Sequence, residues 1–152
     1  MVLSKRFLIA GGVISILISI LHFILAMKPA LYGVIAPGQA SALSQMAEQG
    51  SSLTTILSIA IALIFAIWAI YAFSGAGLLR SLPLLRAVLI MVGVIYLLRA
   101  LFLPTEINMV LNEGQPFRIV VYSAVSLLAG LLYLIGVLMR KTSARKLKNP
   151  VS

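Results

Sequence analysis

Four apolar runs, at 7–27, 53–73, 84–103 and 119–139, constrain this chain more than anything else in it. Each is close to the ~20 residues an α-helix needs to cross a ~30 Å hydrocarbon core. All six prolines, at 29, 37, 83, 104, 116 and 150, lie outside these runs. Proline lacks the backbone donor and breaks helices, so this placement marks boundaries. Pro83 opens the third run, where a missing N–H is tolerated, and Pro29 and Pro104 close the first and third. In lipid every backbone polar group must be paired within the protein, so the runs are predicted as helices. The alternating period of a membrane β-strand is absent. The fold predicted is all-α: an integral membrane, antiparallel four-helix bundle over 1–140, followed by a basic tail over 141–152.

Composition closes off the alternatives. Of 152 residues, 62% are hydrophobic and 10% charged, against about 45–50% and about 25% in soluble domains. That excludes a soluble globular domain and a disordered chain. The absence of cysteine removes disulfides, thiolate metal sites, iron–sulfur clusters and cysteine nucleophiles. A single histidine excludes bis-histidine haem and multi-histidine zinc within one chain. No cofactor and no metal is expected. The first run spans 21 residues, longer than the ~7–15 residue core of a signal peptide, and is expected to be a retained anchor.

The net charge of +9 is distributed by topology. Lys5, Arg6, Arg80, Arg86, Arg140, Lys141, Arg145, Lys146 and Lys148 fall on one side of the four runs. Lys28, Arg118 and all three acids, Glu48, Glu106 and Glu113, fall on the other. The positive-inside rule then predicts cytoplasmic termini, with 28–52 and 104–118 outside, in a bacterial cytoplasmic (inner) membrane. The tail 140–148 carries five Lys or Arg without interleaved aromatics. It reads as an orientation signal and an attraction to anionic headgroups, not as a nucleic-acid site. The expected partners are membrane lipids, with a homo-oligomer or a larger membrane complex as further alternatives, and no nucleic acid.

Both outer loops are expected to hold short amphipathic helices on the membrane surface. In 39–49, Leu43, Met46 and Ala47 share a face and Gly50 supplies a stop. In 105–111, Ile107, Val110 and Leu111 share a face, with Thr105 as N-cap.

Small and polar residues form a stripe on each run: Gly12, Ser15, Ser19, His22 and Ala26; Thr55, Ser58, Ala62, Ala66 and Ala69; Gly93, Tyr96 and Arg99; Tyr122, Ser126, Gly130 and Tyr133. Small residues at this spacing let helix backbones approach closely in lipid, so the stripes read first as the bundle seam. Counting along the helices places His22, Arg99, Tyr96, Tyr122 and the threonines at one depth, the outer third of the bundle. Trp68, Tyr71 and Tyr133 read as an aromatic belt in the inner third.

Arg99 is the one charge that orientation leaves unexplained. It either snorkels to the interface or turns inward. Facing inward, it would pair with Glu106 or Glu48, or bind an anionic ligand. No carboxylate lies inside a run, which argues against midplane proton or sodium coupling. Metal-binding, nucleophile-elbow and phosphate-loop motifs are also missing. The ligand-binding candidates are therefore Arg99, Tyr96, His22, Tyr122, Thr55 and Glu106, with no catalytic residue assigned. The first expectation is a non-enzymatic bundle that binds a lipid or small amphipathic or anionic ligand at the outer-leaflet level, or serves as an accessory subunit. The second is a transporter or channel subunit formed by oligomerisation. The third is an enzyme acting on a lipid-like substrate, with His22 as acid or base.

Overall fold

The computed structural model describes residues 2–35, 45–46 and 52–148. They form α1 (Val2–Met27), α2 (Leu31–Ile35), α3 (Ser52–Gly75), α4 (Leu85–Ala100), α5 (Leu103–Asn112) and α6 (Arg118–Lys148), and no strand occurs among them. Four segments are long and apolar enough to cross a membrane: Val2–Met27, Ser52–Gly75, Leu85–Asn112 (α4 and α5 together) and Arg118–Arg140. Their outward faces carry Leu17, Ile56, Leu63, Leu98, Leu128 and Leu138, each more than half exposed. An apolar belt of this extent suits lipid and not water. The chain is an integral membrane four-helix bundle.

The helices alternate in direction. Leu8 of α1 meets Gly75 of α3 and Gly136 of α6, and Leu89 of α4 meets Gly75 as well. The start of α1, the end of α3, the start of α4 and the far part of α6 thus share one end, which also carries Lys5, Arg6, Arg80, Arg86 and Arg140. We call it the basic end. The principal pairings are α1 with α3, α4 with α6 and α1 with α6, while α3 and α4 touch more lightly. At the α4–α6 crossing the backbones come close. A Cβ on Gly130 would stand 3.0 Å from the Gly93 carbonyl oxygen and 2.8 Å from a Leu97 methyl. Only glycine fits there without a shift.

Several boundaries differ from expectation, each for a local reason. The first helix begins at Val2, because Lys5 and Arg6 continue it beyond the apolar core. Pro83 does not open the third span. Leu84 takes the left-handed conformation (φ 52, ψ 18) and α4 starts after it, a conformation that costs a leucine about 1–2 kcal/mol. Pro104 does not close the span either. Leu101 and Phe102 stay near helical dihedrals, so Pro104 falls in the first turn of α5, where its missing N–H is tolerated. The Phe102 amide bonds the Arg99 carbonyl at 3.3 Å, and the Glu106 amide resumes the ladder on the Phe102 carbonyl at 2.9 Å. Thr105 therefore lies inside α5 and caps nothing. The amphipathic helix expected over 105–111 is present as Leu103–Asn112, nearly continuous with α4. The expected helix over 39–49, with Glu48, lies outside the described residues except Gln45 and Met46, which are helical.

At the basic end, Gly77 (φ 77) ends α3. The Gly77 amide bonds the Ser74 carbonyl at 3.0 Å and the Leu78 amide the Phe73 carbonyl at 3.0 Å, the paired closure of a Schellman turn. Arg140 donates to the Gly75 carbonyl at 2.9 Å. A cation on the last free carbonyls of a helix is favourable.

Candidate functional site

Four groups of polar residues stand out among the described residues of the spans. The deepest joins four helices, α1, α3, α4 and α6. The Tyr133 hydroxyl donates to the Trp68 carbonyl at 3.1 Å. Its one proton is thereby committed, so Ser15 Oγ must donate to Tyr133 (2.8 Å) and Tyr96 must donate to Ser15 (2.9 Å). The bonds therefore run one way, from Tyr96 through Ser15 and Tyr133 to the Trp68 carbonyl. Tyr133 is fully buried. It sits in the core and not in the interfacial belt expected for it with Trp68 and Tyr71, both of which are half-buried. Rings reinforce the chain: Phe65–Trp68 and Trp68–Tyr96 meet edge-on at 5.0 and 5.5 Å, and Tyr96–Tyr133 lie 5.9 Å apart.

The second group fastens α2 to the bundle. Ser58 Oγ donates to the Thr54 carbonyl at 2.7 Å, so the Tyr32 hydroxyl is the donor to Ser58. Tyr122 of α6 donates to the Ile35 carbonyl at 2.6 Å and holds the other end of α2. The third is His22, whose Nδ1 donates to the Ile18 carbonyl of its own helix at 2.9 Å. Its ring lies 5.6 Å from Phe65.

The fourth group carries charge. Arg99 turns into the protein. Its Nη1 donates to Glu106 Oε1 at 2.9 Å and to Ser123 Oγ at 2.8 Å. Its guanidinium carbon lies 5.8 Å from the Phe102 ring centre, a cation–π distance. The break at Leu101–Phe102 brings Glu106 within reach by setting α5 back against Arg99 and α6. The two partners differ in exposure: 35% of the Arg99 side chain is open, against 7% for Glu106. Both bonds use one nitrogen of the guanidinium, whereas a forked pairing would engage both carboxylate oxygens. Glu106 Oε2 is consequently buried with no hydrogen-bond partner.

The expected candidates are thus distributed. Arg99 and Glu106 are joined. Tyr96 belongs to the deep chain, Tyr122 to the α2 clasp, and His22 to its own helix and Phe65. Thr55 is only half-buried, and the seam of α3 runs through the fully buried Thr54 and Ser58 instead. Sequence reasoning missed Ser123, Tyr32 and the linking role of Ser15. Ser123 had a signal, because 123, 126, 130, 133 and 137 make a stripe as regular as the one drawn through Tyr122. Nothing local marked Tyr32. No group of three or more His, Asp or Glu suited to a metal occurs among the described residues. A recess of about 510 Å³ opens at the basic end, lined by Leu84, Leu85, Arg86, Ala87 and Ile90. It lies at the end of the bundle away from Arg99.

The chain matches no family model, no curated protein and no solved structure.

Proposed function

We propose that this protein is a non-enzymatic membrane bundle that binds a lipid or small amphipathic ligand through an anionic group, most simply a headgroup phosphate, at Arg99. One observation carries this reading. Arg99 satisfies Glu106 and Ser123 through Nη1 alone, and a third of its side chain stays open. An arginine whose Nε and Nη2 are not used in those bonds can receive two anionic oxygens side by side. The exposed Leu98, Leu101 and Phe102 around it suit acyl chains. The deep tyrosine–serine chain supports a non-catalytic reading, since its hydroxyls are used on one another and on a carbonyl. With cytoplasmic termini in a bacterial inner membrane, the Arg99 end meets the outer leaflet.

The test is lipid retention by the full-length protein through detergent purification. Arg99→Gln/Glu106→Gln removes both charges together and leaves no buried ion unpaired. The expected result is a several-fold loss of tightly held phospholipid in the double variant at unchanged helicity. Equal retention by both proteins would overturn the proposal.

A further inference from the structure

Glu106 Oε2 has no partner in a residue that is nine-tenths buried. Orphaned buried acceptors are rare and call for a donor. Leaving a charged acceptor unpaired costs more than the ~1–3 kcal/mol of a neutral group. The neighbouring donors do not fill this need. Arg99 Nη1 donates to the other carboxylate oxygen and to Ser123 Oγ, and no donor, the Ser123 hydroxyl included, lies within hydrogen-bond reach of Oε2. Two groups thus stand outside the site's own hydrogen bonds, the Nε and Nη2 edge of Arg99 and the Oε2 atom of Glu106.

We infer that the headgroup bound here is zwitterionic and carries an ammonium that donates hydrogen bonds, as phosphoethanolamine does. The inference rests on the Arg99 reading above and deepens it. Its phosphate lies on the Nε and Nη2 edge of Arg99, and its ammonium donates to Glu106 Oε2. Charge balance favours this class. Arg99 and Glu106 together are neutral, so a purely anionic ligand leaves a net charge in a medium of low dielectric, whereas a zwitterion leaves none. A quaternary ammonium has the same charge but no N–H, and leaves Oε2 unsatisfied. Oε2 is closed to water in the rotamer seen. A half-turn of the carboxylate only exchanges its two oxygens, so the movement that binding requires is a shift of the Glu106 side chain that keeps one oxygen on Arg99 Nη1 and opens the other to the headgroup.

The experiment compares retention of phosphatidylethanolamine and phosphatidylcholine with matched acyl chains, each supplied to the full-length protein in mixed micelles. Three proteins are measured: the natural chain, Glu106→Gln, and Arg99→Gln/Glu106→Gln, each checked for unchanged helicity at the assay temperature. The natural chain is expected to prefer the ethanolamine lipid about tenfold, the scale of one hydrogen bond to a charged acceptor. Glu106→Gln is expected to lose that preference, the ratio of ethanolamine lipid to choline lipid retained falling to about one whatever the total retained. Equal retention of both lipids by the natural chain, with loss of both in the double variant, would overturn the ammonium contact and leave the Arg99 reading standing. A preference that survives Glu106→Gln would also overturn it. Equal retention by all three proteins would overturn both.

Discussion

The two ends of the bundle are closed by different chemistry. At the basic end, Leu8 and Leu89 fill the space that glycines leave, and the cations lie outside the packing or cap a helix, as Arg140 does. At the opposite end, closure depends on polar groups: Tyr32 on Ser58, Tyr122 on the Ile35 carbonyl, and Arg99 on Glu106 and Ser123. Within lipid an apolar contact gains nothing from leaving water, so the basic end is held by shape. The opposite end is held by direction and charge, and it is the end where a donor is still owed to a buried atom. Packing of the first kind leaves a finished surface. Packing of the second kind leaves a buried acceptor unused, Glu106 Oε2.

The largest effect that sharpens this contrast is expected at the basic end. Leu8 is fully buried against α3 and α6, so Leu8→Ala should lower unfolding stability in micelles by about 2–4 kcal/mol through the cavity it leaves. It should leave lipid retention at Arg99 unchanged. A loss of retention would show that the two ends are not independent. Next is Gly130→Ala, where the added methyl meets the Gly93 carbonyl and Leu97. The α4–α6 pair must part, and a loss of about 1–3 kcal/mol is expected. Because α4 carries Arg99 and α6 carries Ser123, this change should also weaken lipid retention. Smallest is Tyr133→Phe. It removes the donor to the Trp68 carbonyl and the acceptor for Ser15, and about 1 kcal/mol is expected from denaturant unfolding. Retention should not change, because the deep chain takes no part in the charged end.

The spans were legible in the sequence because the bilayer leaves helix as the natural form for apolar runs of that length. Helix faces were legible only to within one residue. A period of 3.6 lets either of two neighbours sit at the edge of a stripe, and the partner helix decides between them. Thr54 is thereby buried where Thr55 was expected, and Ser123 meets Arg99 where Tyr122 was expected. Pro104 was misread because a proline that opens one helix looks the same in sequence as one that closes another. The pairing of Arg99 with Glu106 could be anticipated, as one alternative, from seven residues of separation. The bonds of Ser15 to Tyr96 and Tyr133 cross 81 and 118 residues, and no local spacing encodes them.

The central claim is that Arg99 and Glu106 form one internal unit with a free edge, and not two charges that reach the interface separately. A double-mutant cycle on Arg99→Gln and Glu106→Gln, read by unfolding in micelles, measures this directly. The expected result is that each single change destabilises the protein while the double variant recovers part of the loss, with a coupling of about 1–3 kcal/mol. Additive effects within about 0.3 kcal/mol, the behaviour of independent sites, would contradict the account.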